Sequence, residues 1–450
     1  MRRHPSKLGR DRGVALLLVL VGLAVLGLVA NEIRYNSIVE IRLATNQRDD
    51  LRAHYLARSG VGLSRLMLKF QKQMDQVQIP NFASMLGPLA DIAAGKPLDP
   101  SKLADAISGK GGAAGGGAPS SMSLQLWRMA KIDCYMLQQM IAEEDPKKGG
   151  LSPAKSSKKF EFDDENPELA QAQSKRQFGG FEGCFSTVLS DEEEKINVSK
   201  LNAPQLSAQV ALIQTIAAFG DKKYEFLFEK EDSNRVKVVP TDVIIAMRDW
   251  LDEDEVGTQL NLSGQGDPFA KGFSDENYNY DKFDPRYRAK NAGFDSMDEL
   301  YLVHGVNDRF MAAFGDKLTV FPDQNSKQNI NTDDPVLLEL AIRAIADPAR
   351  PDPRLQDPLF IDTLIKKIRT ARVFAMFGMS VTDFVNIVQS AGVATNSTIT
   401  NNAQNNRFIG DKSNTYRIRV TGEAGDVTRT ITAVIRLDDG LGRLVYWKEE

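Results

Sequence analysis

The sequence predicts an α+β protein assembled on one long N-terminal helix. Three observations carry this. An unbroken apolar run, Val14 to Ala30, passes without a proline into a helical pattern that continues to about residue 75. Strand-type alternation occurs in two distant places, Phe181 to Ser199 and Tyr416 to Trp447. The stretch between them, residues 201–407, reads as mostly helical. Strands on both sides of a helical block imply one antiparallel sheet interrupted by a large all-α insertion.

Composition narrows the function classes. The chain has 450 residues, 42 % apolar and 26 % charged, so it is globular and long enough for two or three folding units. Lys and Arg number 56 against 60 Asp and Glu, a net charge of −4, which excludes a globally basic nucleic-acid binder. Three His and two Cys are too few for a multi-ligand zinc site or a disulfide-rich scaffold. Apart from one segment, the chain is too polar for a polytopic membrane protein.

Residues 1–13 form a basic stub, with Arg2, Arg3, Lys7, Arg10 and Arg12 against Asp11. The stub is four positive and, with −4 for the whole chain, the remainder is eight negative. That asymmetry predicts a cytoplasmic stub, a single span over 14–30 and a translocated body. The helix is expected over 14–75, since Ile38, Ile41, Ala44, Leu51, Tyr55, Leu63, Leu66, Met67 and Phe70 recur at helical spacings. On hydropathy alone, an uncleaved single-span anchor carrying a periplasmic binding domain fits equally well.

Residues 76–180 read as a variable linker region. They hold a Gly-rich stretch from Gly109 to Ser121, a short helical piece around residues 123–144, and a Lys-, Ser- and acid-rich stretch from Asp145 to Gln177. Strands over 181–200 open the sheet, and strands Tyr416–Glu423, Val427–Leu437 and Leu444–Trp447, within 416–450, close it. Two helical blocks, 201–321 and 329–412, lie between. Each opens on a similar phrase, INVSKLNAPQL at Ile196 and NINTDDPVLLEL at Asn329, which hints at an internal duplication.

The arrangement of basic leader, Gly13 and an apolar run starting at Val14 resembles the class III leader of type IV pilins and pseudopilins. That resemblance implies cleavage between Gly13 and Val14 by a prepilin peptidase, and methylation of the new N-terminus. Most members carry Glu at the fifth mature position, where this sequence has Leu18. The family role of that Glu is to pair with the N-terminal ammonium of a neighbouring subunit, so Leu18 implies a place at the filament tip. Among type II secretion pseudopilins, this absence is a property of the minor pseudopilin K family. Internal phrases strengthen the resemblance: Asp249-Trp250-Leu251-Asp252-Glu253-Asp254, Tyr287-Arg288-Ala289-Lys290-Asn291, and Glu299-Leu300-Tyr301-Leu302-Val303-His304-Gly305-Val306. The resemblance implies a pseudopilin-type sheet with a SAM-like first helical domain. It implies a non-enzymatic role at the tip of the pseudopilus, with minor pseudopilins I and J, other pseudopilins and the inner-membrane assembly platform as partners. A minor pilin of a type IV pilus is the neighbouring alternative.

The acidic cluster Asp249, Asp252, Asp254 and Glu255, followed by Asp275 and Glu276, reads on composition as a solvated loop. Its spacing is not that of an EF-hand. The resemblance implies structural calcium instead, with Asp252, Asp254, Asp275 and Glu276 as candidate ligands. Phe294 to Val320 is similar to a helix-hairpin-helix, but Asp308 and Asp316 offset Arg309 and Lys317, so a protein contact is favoured over DNA. His304 reads as a hairpin residue and His54 as a residue of the long helix. No G-x-S-x-G is present, and the Gly run at 111–117 lacks the phosphate-loop pattern, so no enzyme signature is found. Cys134 and Cys184 either remain separate thiols or, in an oxidising compartment, pair to close a loop of about 50 residues, for roughly 4 kcal/mol in the chain-entropy model.

Overall fold

The computed structural model describes residues 11–76, 123–129, 132–134, 177–178, 181–229, 237–262, 266–372, 377–400, 408–438 and 440–450, the side chains of 11–15, 74, 76, 123, 124, 126, 129, 177, 178, 181, 182 and 377 excepted. The leader residues 1–10 and most of the 76–180 region therefore lie outside the described residues. In chain order the principal helices are α1 (Asp11–Gln76), α2 (Gln205–Phe219), α3 (Pro240–Leu251), α4 (Asp308–Phe314), α5 (Pro335–Ile345), α6 (Pro358–Ala371) and α7 (Val381–Ser390). The principal strands are β1 (Cys184–Asp191), β2 (Val256–Leu260), β3 (Phe269–Asp275), β4 (Thr415–Ala424), β5 (Val427–Arg436) and β6 (Arg443–Glu449). The α+β expectation holds: a long apolar helix, an antiparallel sheet and a helical block between its strands.

The sheet runs in the order β6-β5-β4-β1. The β4–β5 hairpin pairs Tyr416 with Ile435 and Val420 with Ile431, and β1 returns from far upstream to pair Leu189 with Ile418. Alternation puts Phe185, Tyr416, Ile418, Val420, Ile431, Ala433 and Ile435 on one face, and α1 lies across it through Ala53, Leu56, Ala57, Val61 and Leu68. Small residues make the approach close. A Cβ on Gly422 would fall onto the Ala53 carbonyl oxygen and within 2.8 Å of the Ala57 amide nitrogen. A Cβ on Gly60 would meet Val420 at 2.6 Å and Phe185 at 2.7 Å. Arg65 adds a tie from α1 to the Gly442 carbonyl at 2.9 Å.

Only Cys184–Asp191 of the expected 181–200 strands joins this sheet. Ile196–Asn197 turns away and pairs in parallel with Leu318–Thr319. Gln328–Asn329 does the same with Ile409–Gly410. Each Asn phrase thus forms one side of a short parallel bridge that closes a helical unit at its root. The first unit packs Phe219, Met247, Trp250, Phe310 and Phe314 into one core, which Val434 enters from the sheet face opposite α1. The second packs Leu338, Ile342, Ile345, Leu364, Ile368, Phe384 and Val388. Its helices begin on side-chain caps: Asp334 accepts from the Val336 amide at 2.7 Å and Asp357 from the Leu359 amide at 3.0 Å, each followed by proline in the first turn. The middle block is not wholly helical. Between α3 and Glu276, Val256–Leu260 and Phe269–Asp275 form the β2–β3 hairpin, in which alternating Val256, Thr258 and Leu260 pair with residues after Pro268.

The acidic turn Asp191-Glu192-Glu193-Glu194 joins sheet and helical units. Asp191 is buried and accepts hydrogen bonds from Ser413 Oγ at 2.5 Å, Asn329 Nδ2 at 2.9 Å and the Glu193 amide at 2.8 Å. Glu193 accepts from Thr415 Oγ1 at 2.9 Å, and Glu194 meets the Arg128 guanidinium. Burial pushes Asp191 up to about 6, and Glu193 and Glu194 up to about 8. Burial pulls the neighbouring Lys200 down to about 8.

Two predictions follow from these contacts. Gly422→Val should lower the stability of the detergent-extracted protein by about 3 kcal/mol, read from denaturant unfolding, because rigid α1 backbone occupies the space of the added side chain. The raised acids bind protons more tightly folded than unfolded, so their cost is absent below the ordinary carboxylate range and complete above their folded values. Stability should therefore fall by an amount on the order of 2 kcal/mol between pH 5 and pH 8. Glu193→Gln, which keeps a carbonyl oxygen facing Thr415, should flatten that slope in thermal unfolding across the same pH range.

Candidate cation site and assembly surface

Helix α3 is amphipathic and starts on Pro240, with the Asp242 carboxylate accepting from the Val239 amide at 3.0 Å. It ends by presenting Asp249 in its last turn and Asp252 as its C-terminal cap. The i, i+3 spacing puts both carboxylates on one side of the helix end. Asp249 accepts from the Thr258 amide of β2 at 2.9 Å, and Asp252 lies 3.4 Å from Arg248 Nε. From the other side, β3 runs into a single 3₁₀ turn that begins with Glu276. Carboxylate oxygens of Asp249, Asp252 and Glu276 all fall within 4.8 Å of one another.

This convergence is buried and unsatisfied. Glu276 is 5 % exposed and Asp252 9 %. Both Glu276 carboxylate oxygens, one oxygen of Asp252 and the side-chain carbonyl oxygen of Asn291 are buried without a hydrogen-bond partner. Asn291 sits in the left-handed region at φ 51°, held by its own amide donating to the Asp254 carbonyl at 2.8 Å. Burial pushes Asp252 up to about 6, with Asp249 and Asp254 adding to the rise and Arg248 opposing it. Burial pushes Glu276 up to about 7, with the nearby Asn291 side chain opposing the rise and repulsion from Asp249, Asp252 and Asp254 adding to it. Uncompensated carboxylates in such surroundings are costly unless a cation joins them. An all-oxygen set with a carbonyl beside it suits a hard divalent ion such as calcium.

The four ligands expected from the sequence divide here. Asp252 and Glu276 enter the cluster. Asp254 does not: it turns outward, pairs with Lys271 at 2.7 Å and caps the Val256 amide at 3.0 Å. Asp275 is spent on the Asn277 amide at 2.9 Å as the cap of the 3₁₀ turn. Asp249 was missing from the expected set, although its spacing to Asp252 was a readable signal. The other motif residues build the walls. Trp250 stacks on Phe294 at 7° with centroids 6.3 Å apart, Tyr287 Oη donates to the Leu302 carbonyl at 2.9 Å, and Leu300 is fully buried. Gly305 has φ +86°, and a Cβ there would press on Val238 and Val243. The His304 amide donates to Tyr280 Oη at 3.3 Å, and His54 Nδ1 lies 3.6 Å from Glu449 Oε2.

The second candidate surface is α1 itself. Gly13 and Val14 lie in its first turn, and Leu18 is 65 % exposed. From Leu16 to Leu43 its large apolar side chains point to solvent, including Leu17, Leu20, Leu28, Ile33 and Ile41. Among the described residues this is the one helix long and apolar enough to cross a membrane. Cys134 and Cys184 are joined by a disulfide with Cα atoms 5.7 Å apart, which ties the 123–134 segment to β1.

No protein-family model matches this chain, and none of the curated proteins does. Among solved structures, it is similar to a chain in the crystal structure of the GspK-GspI-GspJ complex from the enterotoxigenic Escherichia coli type 2 secretion system. The two share 14 % sequence identity at a TM-score of 0.37, over 60 % of this chain and 80 % of that one.

Proposed function

We propose that this chain is a minor pseudopilin of a type II secretion system that stands at the tip of the pseudopilus. The observation that supports the reading best is α1: one unbroken helix whose C-terminal half is anchored on a sheet while its N-terminal half offers an uncovered apolar surface. In this reading residues 14–30 span the inner membrane with the basic leader in the cytoplasm and the head in the periplasm. Prepilin peptidase cuts after Gly13, and the free end at Val14 is methylated. The assembly platform then lifts the helix against those of other pseudopilins, with the minor pseudopilins I and J as neighbours. Apolar helix packing drives the association. Leu18 offers no carboxylate to the ammonium of a subunit stacked above, and two helical units crowd the head, so the chain starts or caps the filament. No side chain acts chemically on an exported protein.

Calcium belongs to the same reading. Asp249, Asp252, Glu276 and the Asn291 carbonyl would hold it, and its charge offsets three buried carboxylates. Asp249 on α3 holds the Thr258 amide of β2 and Glu276 directly follows β3, so the residues around the ion fix that hairpin on α3.

Intact mass and terminal sequencing of the membrane-extracted protein should find a chain beginning at methylated Val14. A chain beginning at Met1 in cells with active peptidase would make it an unprocessed anchored protein. A processed chain that supports a type IV pilus and leaves secretion untouched would move it to the pilus. Millimolar calcium after chelation should raise the thermal midpoint by about 5 °C at saturation. Glu276→Gln should gain stability in chelator and lose most of the calcium response. Leu18→Glu should leave the fold intact and let the subunit enter the filament away from its tip, scored by cross-linking to pseudopilins above it.

A further inference from the structure

The described residues 123–129 and 132–134 lie outside the elements that close the sheet and the helical units, yet they touch the α1–sheet core, the acidic turn and the second helical unit. Ser123 and Leu124 pair antiparallel with Gly378 and Phe377 in the second helical unit. Trp127 packs edge-on against Tyr416 with centroids 5.6 Å apart, and Ile132 is buried in the core between α1 and the sheet. Between these anchors Arg128 donates to Glu194 of the acidic turn and to Asp333 and the Asn331 carbonyl at the start of α5. Arg372 grips the same loop from the other side, donating to the Ile330 carbonyl at 3.0 Å and the Thr332 carbonyl at 3.1 Å. Asp133 bridges to Ser186 on the edge of β1, and Cys134 then bonds to Cys184.

We infer that residues 123–129 and 132–134 act as a latch, closed by the Cys134–Cys184 disulfide, that holds the second helical unit against the sheet. The disulfide joins the latch to the sheet edge, and Arg128 passes that constraint to residues 330–333. With the bond broken, the segment loses its covalent tie to β1 and keeps non-covalent contacts, among them the Asp133–Ser186 bridge, the Phe185 amide at 3.2 Å from Cys134 Sγ, and the packing of Trp127 and Ile132, a looser hold on the Arg128 guanidinium between its two carboxylates. The sulfurs differ in access: Cys134 is fully buried and Cys184 is half-buried. Closure is thiol–disulfide exchange with a disulfide-bearing oxidant, of the class found in oxidising compartments. One cysteine thiolate attacks the oxidant disulfide and expels a thiolate. The second cysteine thiolate then displaces the oxidant's remaining sulfur. The chain loses two electrons and two protons, and the oxidant gains two thiols. Opening is the reverse, with a reductant thiolate reaching Cys184 and Cys134 leaving. The periplasmic head proposed above supplies the oxidising surroundings, but the test does not depend on it.

The test is hydrogen exchange of the full chain in detergent micelles, before and after dithiothreitol, with alkylation mass shifts reporting the cysteines. Reduction should raise exchange about tenfold or more in 123–134, 330–345 and 377–388, while 240–251 and 53–68 keep their protection. Arg128→Met, with the disulfide intact, should loosen 330–345 alone. Reduction that leaves 330–345 unchanged would overturn the latch. So would a uniform rise across the chain, which would make the disulfide a general staple. Reducing the folded wild-type protein keeps the test open if Cys134→Ser does not fold.

Discussion

The close seating of α1 on the sheet is the contact on which the remaining structure depends. Ala53, Ala57 and Gly60 face Gly422, Val420 and Phe185, and no larger side chain fits between helix and strand. This lets a narrow stripe of helix hold a four-stranded sheet, and it leaves the rest of α1 free of the head. β1, the only main-sheet strand upstream of the helical block, pairs with β4 on this platform. Both helical units then hang from one end of that pairing, where Asp191 lies opposite Tyr416.

Two groups of buried acids show how the same residue type is put to different use. Asp191 is saturated with donors from Ser413, Asn329 and the Glu193 amide, so its burial is a matter of fastening one piece of chain to another. Glu276 is equally hidden and has no donor on either oxygen. The first arrangement finds its donors within the chain; the second leaves its carboxylates facing one another. Composition does not separate them, because both are runs of Asp and Glu. Partners supplied from far along the chain do.

Legibility in the sequence followed the same division. Period decides long elements, so α1 and the C-terminal strands were readable to within three residues at each end, and β1 stood out by its alternation. The β2–β3 hairpin was hidden by its Gly and Asn content, which reads as loop until the pairing of Thr258 with Lys271 is seen. Among the acids, Asp252 and Glu276 lie in the buried cluster with Asp249, whereas Asp254 and Asp275 are drawn off by local partners, Lys271 and the Asn277 amide. Such short-range capture is a matter of backbone geometry that residue type alone does not encode. The roles of Trp127 and Arg128 were likewise invisible, since their partners lie far downstream, from 66 residues away at Glu194 to 205 at Asp333 for Arg128, and at Tyr416 for Trp127. The Asn phrases were noticed as a repeat, but their use as parallel bridges at the root of each helical unit emerged only from the pairing.

The unbroken course of α1 has a geometric consequence. About 23 residues separate the end of the apolar run at Ala30 from the first fully buried contact at Ala53, a rise of about 35 Å at 1.5 Å per residue. That span is a ruler and a protractor at once. One residue inserted there would lift the head by about 1.5 Å and turn it by about 100° relative to the apolar segment. The direction in which the acid-lined hairpin and the second helical unit point is therefore written into the length of a stretch that touches neither.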